Sequence, residues 1–411
     1  MSHKPIIVPL ESLRGICALC VAIMHFQATS PIYDLSFVRN SYIFVDFFFV
    51  LSGFVISHAY GHALSSRIEV WQFLVRRFAR LYPLHFATLA FLVLLELLRW
   101  GVSGSAIVSG NALFAENKSL AALLANLALV QVFNLFPYPT WNPPSWSISA
   151  ECWTYLFYAT VMFALPRFWL PLAALLIGLL TWAFTANSMS DLQITVDYGF
   201  FRCVLSFGLG SLAYVAYEHV TKSRIYTLLR SAHWTLIESV IFVALVSGVS
   251  FLPIRYFICA PYFFAIVVLA VSVGSGSINR LLCRRSLLTI GMLSYSIYLI
   301  HVPLQSLMFY MALVIERCSG FKIITSYIPG SESPFIGPNA YVGTIMYVVM
   351  IFLLIGASLL CYQKIEVPWR RRIRAMAEGP QTFEDHSAVI GAISGRQSET
   401  RGDRSESVES I

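Results

Sequence analysis

Charged residues are scarce in this chain: Asp, Glu, Lys and Arg make up 12% of its 411 residues, whereas 57% are hydrophobic. A soluble domain carries about twice this charged fraction, so the composition excludes an ordinary soluble protein. Apolar runs long enough to cross a membrane recur along the chain, and in lipid only helices or closed barrels satisfy their own backbone hydrogen bonds. We therefore predict an all-α, polytopic integral membrane protein.

Two further classes of protein are disfavoured. The eight cysteines are scattered, mostly in apolar segments, so we expect no disulfide framework. Cys17 and Cys20 form a CxxC pair without a second pair of ligands, which predicts small core residues rather than a metal site. The net charge of +7 does not indicate a nucleic-acid partner, because Lys and Arg lie between the apolar runs, where they set topology.

Eleven apolar segments can be distinguished, and the basic residues between them set the expected topology. The positive-inside rule places the second connection, 218–234, 275–287 and both termini on the cytoplasmic side, which requires an even number of crossings. We therefore predict that 119–136, interrupted by polar side chains, is re-entrant or non-spanning, and that about ten transmembrane helices remain. The segments are 7–27, 42–60, 83–100, 119–136, 150–166, 168–186, 200–217, 235–252, 257–274, 288–313 and 341–362.

Residues 1–375 are expected to form one membrane-embedded domain. From about residue 376 the composition changes to Glu, Ser, Arg, Gly and Thr, with almost no aromatic residues. Such a segment buries too little apolar surface to fold. We predict that 376–411 is a disordered, polar cytoplasmic tail.

Arg14 and His25 are two ionisable residues within the first apolar segment. Eleven residues at 100° each bring a helix almost back to its starting angle, so both side chains share one face, separated by about 16 Å. A charge at mid-membrane is costly and normally faces a protein interior or a wet cavity. This pattern favours a functional cavity, although Arg14 could instead be an interfacial anchor and His25 a boundary residue.

Three arginines, Arg76, Arg77 and Arg80, precede Tyr82-Pro83 at the entry to the third apolar segment. Residues three and four apart share a helical face, and guanidinium groups bind phosphate or pyrophosphate in a bidentate manner. The cluster therefore predicts a site for a phosphorylated ligand. The alternative is that these arginines only set topology.

Two carboxylates lie at the starts of apolar segments. Asp46 opens the second segment within a run of phenylalanines, and Glu151 follows Trp146, Ser147 and Ser149 at the start of the fifth. Either carboxylate could cap its helix. Glu151 could also orient a catalytic histidine or bind a hydroxylated acceptor.

Tyr298 and His301 lie three residues apart in the tenth segment and so share a helical face. A histidine at this depth is either a packing residue or part of a polar cavity. Further along, Glu366-Val367-Pro368 precedes an arginine run at the end of the membrane domain.

Taken together, these blocks resemble the acyltransferase family 3 membrane proteins, which O-acylate sugars of bacterial surface and exported polysaccharides. The resemblance runs from about Pro9 to Arg372, and one departure is Glu151-Cys152, where the family often has two acidic residues. The blocks, in the order of the family, are Arg14-x10-His25, Asp46 to Phe54, Arg76/Arg77/Arg80 before Tyr82-Pro83, Trp146 to Glu151, Ser294 to His301 and Glu366-x-Pro368.

The resemblance implies a ten-helix enzyme of the bacterial inner membrane that takes an acyl group, usually acetyl, from cytoplasmic acyl-CoA. The acceptor would be a carbohydrate hydroxyl, which could be lipid-linked, and no metal would be required. His25 would be the general base, with Glu151 orienting its imidazole. Arg14 would bind the CoA phosphates or the thioester oxyanion, beside the arginine cluster. The supporting or substrate-contacting residues would be Asp46, Trp146, Ser147, Tyr298 and His301; the nucleotide-binding ones would be Arg76, Arg77 and Arg80.

A transporter or flippase for a lipid-linked or acidic sugar is the main alternative, because it would also carry intramembrane Arg, Asp and His. No internal repeat is apparent in the sequence, which disfavours the inverted-repeat transporter folds. A membrane sensor or scaffold gives no reason for Arg14 and His25 to share a face.

Overall fold

A computed structural model describes residues 7–61, 64–103, 114, 116–223, 234–325 and 334–378. In this part of the chain the only strands are β1 (Ile324–Thr325) and β2 (Phe335–Ile336), which pair antiparallel. The predicted all-α architecture is confirmed. The helices are α1 (Val8–His25), α2 (Pro31–Asp34), α3 (Ser36–Arg39), α4 (Phe44–Tyr60), α5 (Arg67–Ser103), α6 (Leu120–Leu127), α7 (Ser145–Ala164), α8 (Trp169–Ala186), α9 (Gly199–Lys222), α10 (Trp234–Phe251), α11 (Ala260–Val273), α12 (Ser277–Leu282), α13 (Arg285–Met292), α14 (Ser294–Ser319), α15 (Ala340–Cys361) and α16 (Val367–Glu378).

The described residues contain nine helical stretches that are long and apolar enough to cross a membrane, so the chain is a polytopic membrane protein. The 20-residue helix α7 covers 150–164 of the fifth predicted segment, 150–166, but is not among the nine, since its first turns are polar. The nine are Val8–His25, Ser36–Tyr60, Arg67–Gly101, Trp169–Ala186, Gly199–Lys222, Trp234–Phe251, Ile254–Val273, Ser294–Ser319 and Ala340–Met376.

The segment predicted not to span, 119–136, contains only the eight-residue helix α6. Eight residues extend about 12 Å, far less than the roughly 30 Å of a bilayer core. The polar side chains that interrupt this segment attach it to the start of α7. Asn126 Oδ1 accepts a hydrogen bond from Ser145 Oγ at 3.1 Å, and Gln131 Nε2 donates to the Ser145 carbonyl at 3.3 Å.

Two helix crossings are close because glycine occupies the contact. A Cβ atom on Gly53 of α4 would lie 2.0 Å from the carbonyl oxygen of Phe207 in α9, and one on Gly15 of α1 would lie 2.6 Å from the backbone nitrogen of Gly291 in α13. Small residues allow such backbone approach between membrane helices. The second crossing brings the backbone of α13 beside Arg14.

The predicted cytoplasmic tail, 376–411, is only partly covered. Helix α16 extends to Glu378, three residues into that segment, and 379–411 lie outside the described residues. Arg224 and Arg230, two of the basic residues behind the predicted topology, also lie outside them.

Candidate active site

A cavity that opens to solvent lies between α1, α4, α5, α7 and α14, and its empty space, including the open part, is about 730 Å³. It combines side chains from five separate segments of the sequence, including several that sequence analysis singled out. Its apolar wall comes mainly from one face of α4. The polar and charged side chains that line it are Arg14, Ser52, Arg77, Arg80, Ser147, Glu151, Tyr155, Ser294, Tyr295 and Tyr298.

Arg14 is fixed against the start of α14. Its Nε donates to Ser294 Oγ at 2.6 Å, and one terminal nitrogen donates to the Gly291 carbonyl at 3.2 Å. The same nitrogen lies 2.6 Å from a carboxylate oxygen of Glu11 on the preceding turn of α1. These contacts orient the guanidinium while it still lines the cavity.

The three predicted phosphate-binding arginines on α5 divide into two groups. Arg77 and Arg80, three residues apart, both line the cavity. Arg76 does not line it and donates to the Tyr60 hydroxyl at 3.4 Å. Among the described residues no hydrogen-bond partner is found for Arg77 Nε, which is buried, and the guanidinium lies 5.4 Å from the ring centroid of Tyr60 and 5.9 Å from that of Tyr155.

Glu151 lines the cavity from α7, where its carboxylate accepts hydrogen bonds from the hydroxyls of Ser52 and Tyr155. Arg80 is within electrostatic range of this carboxylate and of Glu366, which itself accepts a hydrogen bond from Ser296 at 3.1 Å. These carboxylates balance part of the arginine charge, which lowers the cost of burying it.

His25 ends helix α1 and is half-buried. Its Nδ1 lies 2.9 Å from the carbonyl oxygen of Val21, one turn earlier. A neutral imidazole must carry its proton on the nitrogen that faces a carbonyl, so Nε2 keeps a lone pair for accepting a proton. We expected Glu151 to orient this ring, but the hydrogen bonds of Glu151 are made to Ser52 and Tyr155; the backbone of α1 orients His25 instead.

His301 lies directly against His25, with 4.9 Å between the two ring centroids. It is fully buried, and within the described part of the chain neither of its ring nitrogens has a hydrogen-bond partner. The ring of Tyr298 is 5.9 Å away, and its hydroxyl is bonded to Ser147 Oγ at 2.8 Å and to the Pro144 carbonyl at 3.2 Å. Since Tyr298 lines the cavity, the histidine pair lies one helical turn beyond the cavity end.

Proline and three side-chain donors hold this pair in place. Pro303 lacks an N–H, which leaves the Leu299 carbonyl without its usual helical partner, and Asn142 Nδ2 donates to that oxygen at 3.0 Å. At the end of α1, Gln305 Nε2 donates to the Ala22 carbonyl at 2.8 Å. The third donor, the Tyr347 hydroxyl, bonds to the Phe26 carbonyl at 2.7 Å.

Sequence analysis did not identify these three donors as part of the site. The one available signal was Pro303 inside an apolar helix, which frees a carbonyl that must find a partner in lipid.

A family model described as an acyltransferase domain matches residues 9–363. The chain belongs to the acyltransferase 3 family. Among its relatives, "Acyltransferase MdmB" of Streptomyces mycarofaciens is 32% identical over 168 residues, which cover 37% of this chain and 39% of that protein. "Protein 2 in picA locus" of Rhizobium radiobacter is 44% identical over 85 residues, which cover 20% of this chain and 41% of that protein.

The chain spans about two fifths of the length of each of these two relatives. No solved structure matches it. The family is therefore established by the match over 9–363.

Asp46 and Trp146, which were predicted to support the site or contact the substrate, do not line the cavity of this acyltransferase family member. Asp46 is fully buried and forms an ion pair with Arg202 of α9, at 2.7 Å. Ser206 Oγ donates to the same carboxylate at 2.9 Å, and the guanidinium of Arg202 lies 5.3 Å from the ring centroid of Trp146. Their positions indicate that both residues stabilise the packing of α4, α7 and α9.

A metal centre was not expected from the sequence. The described residues contain no group of three or more His, Cys, Asp or Glu side chains that could hold a metal ion.

Proposed function

We propose that this protein transfers a short acyl group, most simply acetyl, from acyl-CoA to a hydroxyl group of a carbohydrate. The observation that supports this most strongly is the arrangement of the cavity. Arginines line it, and α14 leads from the Arg14 partner Ser294, past Tyr298, to the His25–His301 pair. A cationic site and a base on one path suit an anionic donor whose reactive group lies far from its phosphates.

The donor end would be formed by Arg14, Arg77 and Arg80. Guanidinium groups bind phosphate oxygens through paired hydrogen bonds, and they do so most strongly where water is excluded. Arg14 and His25 are separated by about 16 Å along α1. The elongated pantetheine arm of acyl-CoA would extend along this axis, with the thioester towards the histidines.

The transfer step would use His25 as general base. As the acceptor oxygen attacks the thioester carbonyl, the acceptor proton moves to His25 Nε2 and a new carbon–oxygen bond forms. The carbon–sulfur bond then breaks, and the departing thiolate takes up the proton held by His25, which gives CoA and restores the neutral imidazole. The Val21 carbonyl supports this role, because it fixes the proton of the resting imidazole on Nδ1.

The acceptor would be a sugar of a surface or exported polysaccharide, which could be lipid-linked. The enzyme would lie in the bacterial inner membrane with both termini cytoplasmic. Family membership and a relative named as an acyltransferase support the reaction class. The half-buried position of His25 at the end of α1 supports access of an acceptor from the side opposite to the arginines.

Membranes that carry the protein would be incubated with labelled acetyl-CoA and an extract of cell-envelope carbohydrate, and transfer of label would be measured. We expect His25→Gln to lower transfer at least about 100-fold at equal protein level, as loss of a general base does. His219→Gln is the matched control, since His219 also bonds through Nδ1 to a carbonyl four residues earlier, at 2.8 Å, but is exposed.

Undiminished transfer by the His25→Gln variant would remove His25 as the base. No transfer from any acyl-CoA by the unaltered protein, with the same extract, would contradict the proposed reaction and favour a transporter or flippase.

A further inference from the structure

We infer that Phe48, packed against Tyr298, restricts the donor to short, uncharged acyl groups. This inference rests on the proposed function and adds the acyl class, which the sequence leaves open between acetyl, succinyl and other short chains. Phe48 and Tyr298 line the part of the cavity that lies nearest to the histidine pair.

Phe48 is the member of the Phe47-Phe48-Phe49 run that is only half-buried, and it lines the cavity. Its ring meets that of Tyr298 edge to face, with 5.5 Å between the centroids. Tyr298 in turn lies 5.9 Å from the ring of His301. A thioester that moves from the arginines to His25 must therefore bring its acyl group past this aromatic pair.

Hydrogen bonds hold the ring of Tyr298 in place, whereas the ring of Phe48 is held by packing alone. The Tyr298 hydroxyl is bonded to Ser147 Oγ and to the Pro144 carbonyl, and Ser147 Oγ donates to the same carbonyl at 2.9 Å. On this inference the volume of the side chain at position 48 limits the size of the acyl group that can move past Tyr298. A hydrophobic pocket that differs by one methylene group discriminates its ligands by about 10- to 200-fold.

The surroundings also exclude a charged acyl group. Val45 and Ile148 line the cavity beside the aromatic pair and carry no charge. Arg14 is bonded to Ser294, one helical turn before Tyr298, and so lies on the donor side. Arg202 is within electrostatic range of Tyr298 but is already paired with Asp46. A succinyl carboxylate at the pair would therefore lose its hydration without gaining an unpaired cation, which is unfavourable.

The test uses a series of side-chain sizes at position 48: Phe48→Trp, Phe48→Leu and Phe48→Ala. The matched control is Phe352→Leu, because Phe352 of α15 is 72% exposed on the outer surface of the protein. For each protein, kcat/KM would be measured with acetyl-, butyryl- and succinyl-CoA and the same carbohydrate extract. Phe48→Leu keeps most of the apolar packing, so the series stays informative if Phe48→Ala does not fold.

We expect the butyryl-to-acetyl ratio of kcat/KM to rise at least about tenfold in Phe48→Leu, and further in Phe48→Ala. It should fall in Phe48→Trp and stay unchanged in Phe352→Leu, with succinyl-CoA a poor donor throughout. An unchanged ratio in an active Phe48→Leu variant, or a preference of the unaltered protein for succinyl-CoA, would overturn the inference.

A second measurement separates failure of this inference from failure of the proposed function. The rise in melting temperature with acetyl-CoA and with butyryl-CoA would be recorded on purified protein without acceptor. Stabilisation by acetyl-CoA that exceeds butyryl-CoA in the unaltered protein, but not in Phe48→Leu, supports the size limit independently of the acceptor. Equal stabilisation by both in the unaltered protein contradicts the size limit alone, whereas no stabilisation by any acyl-CoA contradicts the donor itself.

Discussion

Within the described residues, arginine lies inside the protein in at least two parts, and its surroundings differ between them: Arg202 is fully buried, whereas Arg77 is half-buried. In the first part, the guanidinium of Arg202 is bonded through all three of its nitrogens, to the carboxylate of Asp46 and to the Ile194 carbonyl. In the second part, Arg77 lines a cavity, and within the described residues its buried Nε has no hydrogen-bond partner. The first arrangement is closed, whereas in the second one guanidinium donor, Arg77 Nε, has no partner among the described residues.

The difference separates a structural charge from one that can bind a ligand. A buried ion pair is tolerated when its remaining polar atoms are satisfied, and removing one partner leaves an uncompensated charge. An arginine that faces a cavity instead keeps its donors for an anion. Sequence alone presented Asp46 as a supporting or substrate-contacting residue and Arg77 as a nucleotide-binding one. Only the structure shows that Asp46 belongs to a closed ion pair, whereas Arg77 lines the cavity.

The largest effect on stability is expected from Asp46→Ala, which leaves Arg202 buried without its counter-charge. We expect the free energy of unfolding in detergent to fall by about 3–5 kcal/mol, measured by denaturant titration. The double variant Asp46→Leu/Arg202→Met removes both charges and should recover most of this loss. If Asp46→Ala were as stable as the unaltered protein, the pair would not be the closed structural element described here.

In contrast to Asp46→Ala, Arg77→Gln should weaken ligand binding and leave the stability of the protein nearly unchanged. Loss of a charge-assisted hydrogen bond costs about 1.5–3 kcal/mol, so we expect the Kd for acetyl-CoA to rise about ten- to 100-fold while the melting temperature stays nearly constant. Arg76→Gln is the adjacent control, and because Arg76 does not line the cavity its effect on Kd should be clearly smaller. Equal effects of the two substitutions on Kd would contradict this assignment.

Helical periodicity predicted those features that depend on one helix at a time. It placed Arg14 and His25 on one face, and the polar interruptions identified 119–136 as a segment that does not span. It could not show which helix each face meets. The contacts of Arg14 with Ser294 and of His25 with His301 join residues far apart in the sequence, and they depend on how helices pack.

Glu151 illustrates the same limit. Its position at the start of an apolar segment indicated a functional carboxylate, and the structure does place it in the cavity lining. Its assignment as the residue that orients His25 required knowledge of which helices lie beside α7. The partners of Glu151 are instead the hydroxyl of Ser52 on α4 and the hydroxyl of Tyr155, one turn further along α7 itself.

A smaller loss of stability is expected from Ser206→Ala, which removes one neutral donor to the Asp46 carboxylate and leaves the ion pair intact. We expect the free energy of unfolding to fall by about 1–3 kcal/mol, with acyl transfer per folded molecule unchanged. Ser250→Ala, on the exposed part of α10, is the matched control. A loss of transfer that exceeds the loss of folded protein would connect this region to the active site.

The smallest expected effect is that of the salt concentration on the binding of acetyl-CoA. Ions reach charges that face a cavity open to solvent but not a fully buried ion pair. Raising the salt concentration from about 0.1 M to 1 M shortens the Debye length from about 10 Å to 3 Å. We expect the Kd for acetyl-CoA to rise and the melting temperature to stay nearly constant. A fall in melting temperature without a change in Kd would contradict this contrast, because it would mean that salt weakens the buried ion pair and not the cavity arginines.

The central claim is that the arginines bind the donor while His25 carries out the transfer. Equilibrium binding of acetyl-CoA to the purified unaltered protein, Arg80→Gln and His25→Gln tests it most directly when each sample is also assayed for transfer. We predict that Arg80→Gln weakens binding at least about tenfold, and that His25→Gln binds normally but transfers almost no label. Normal binding by Arg80→Gln, or loss of binding in His25→Gln, would contradict the account.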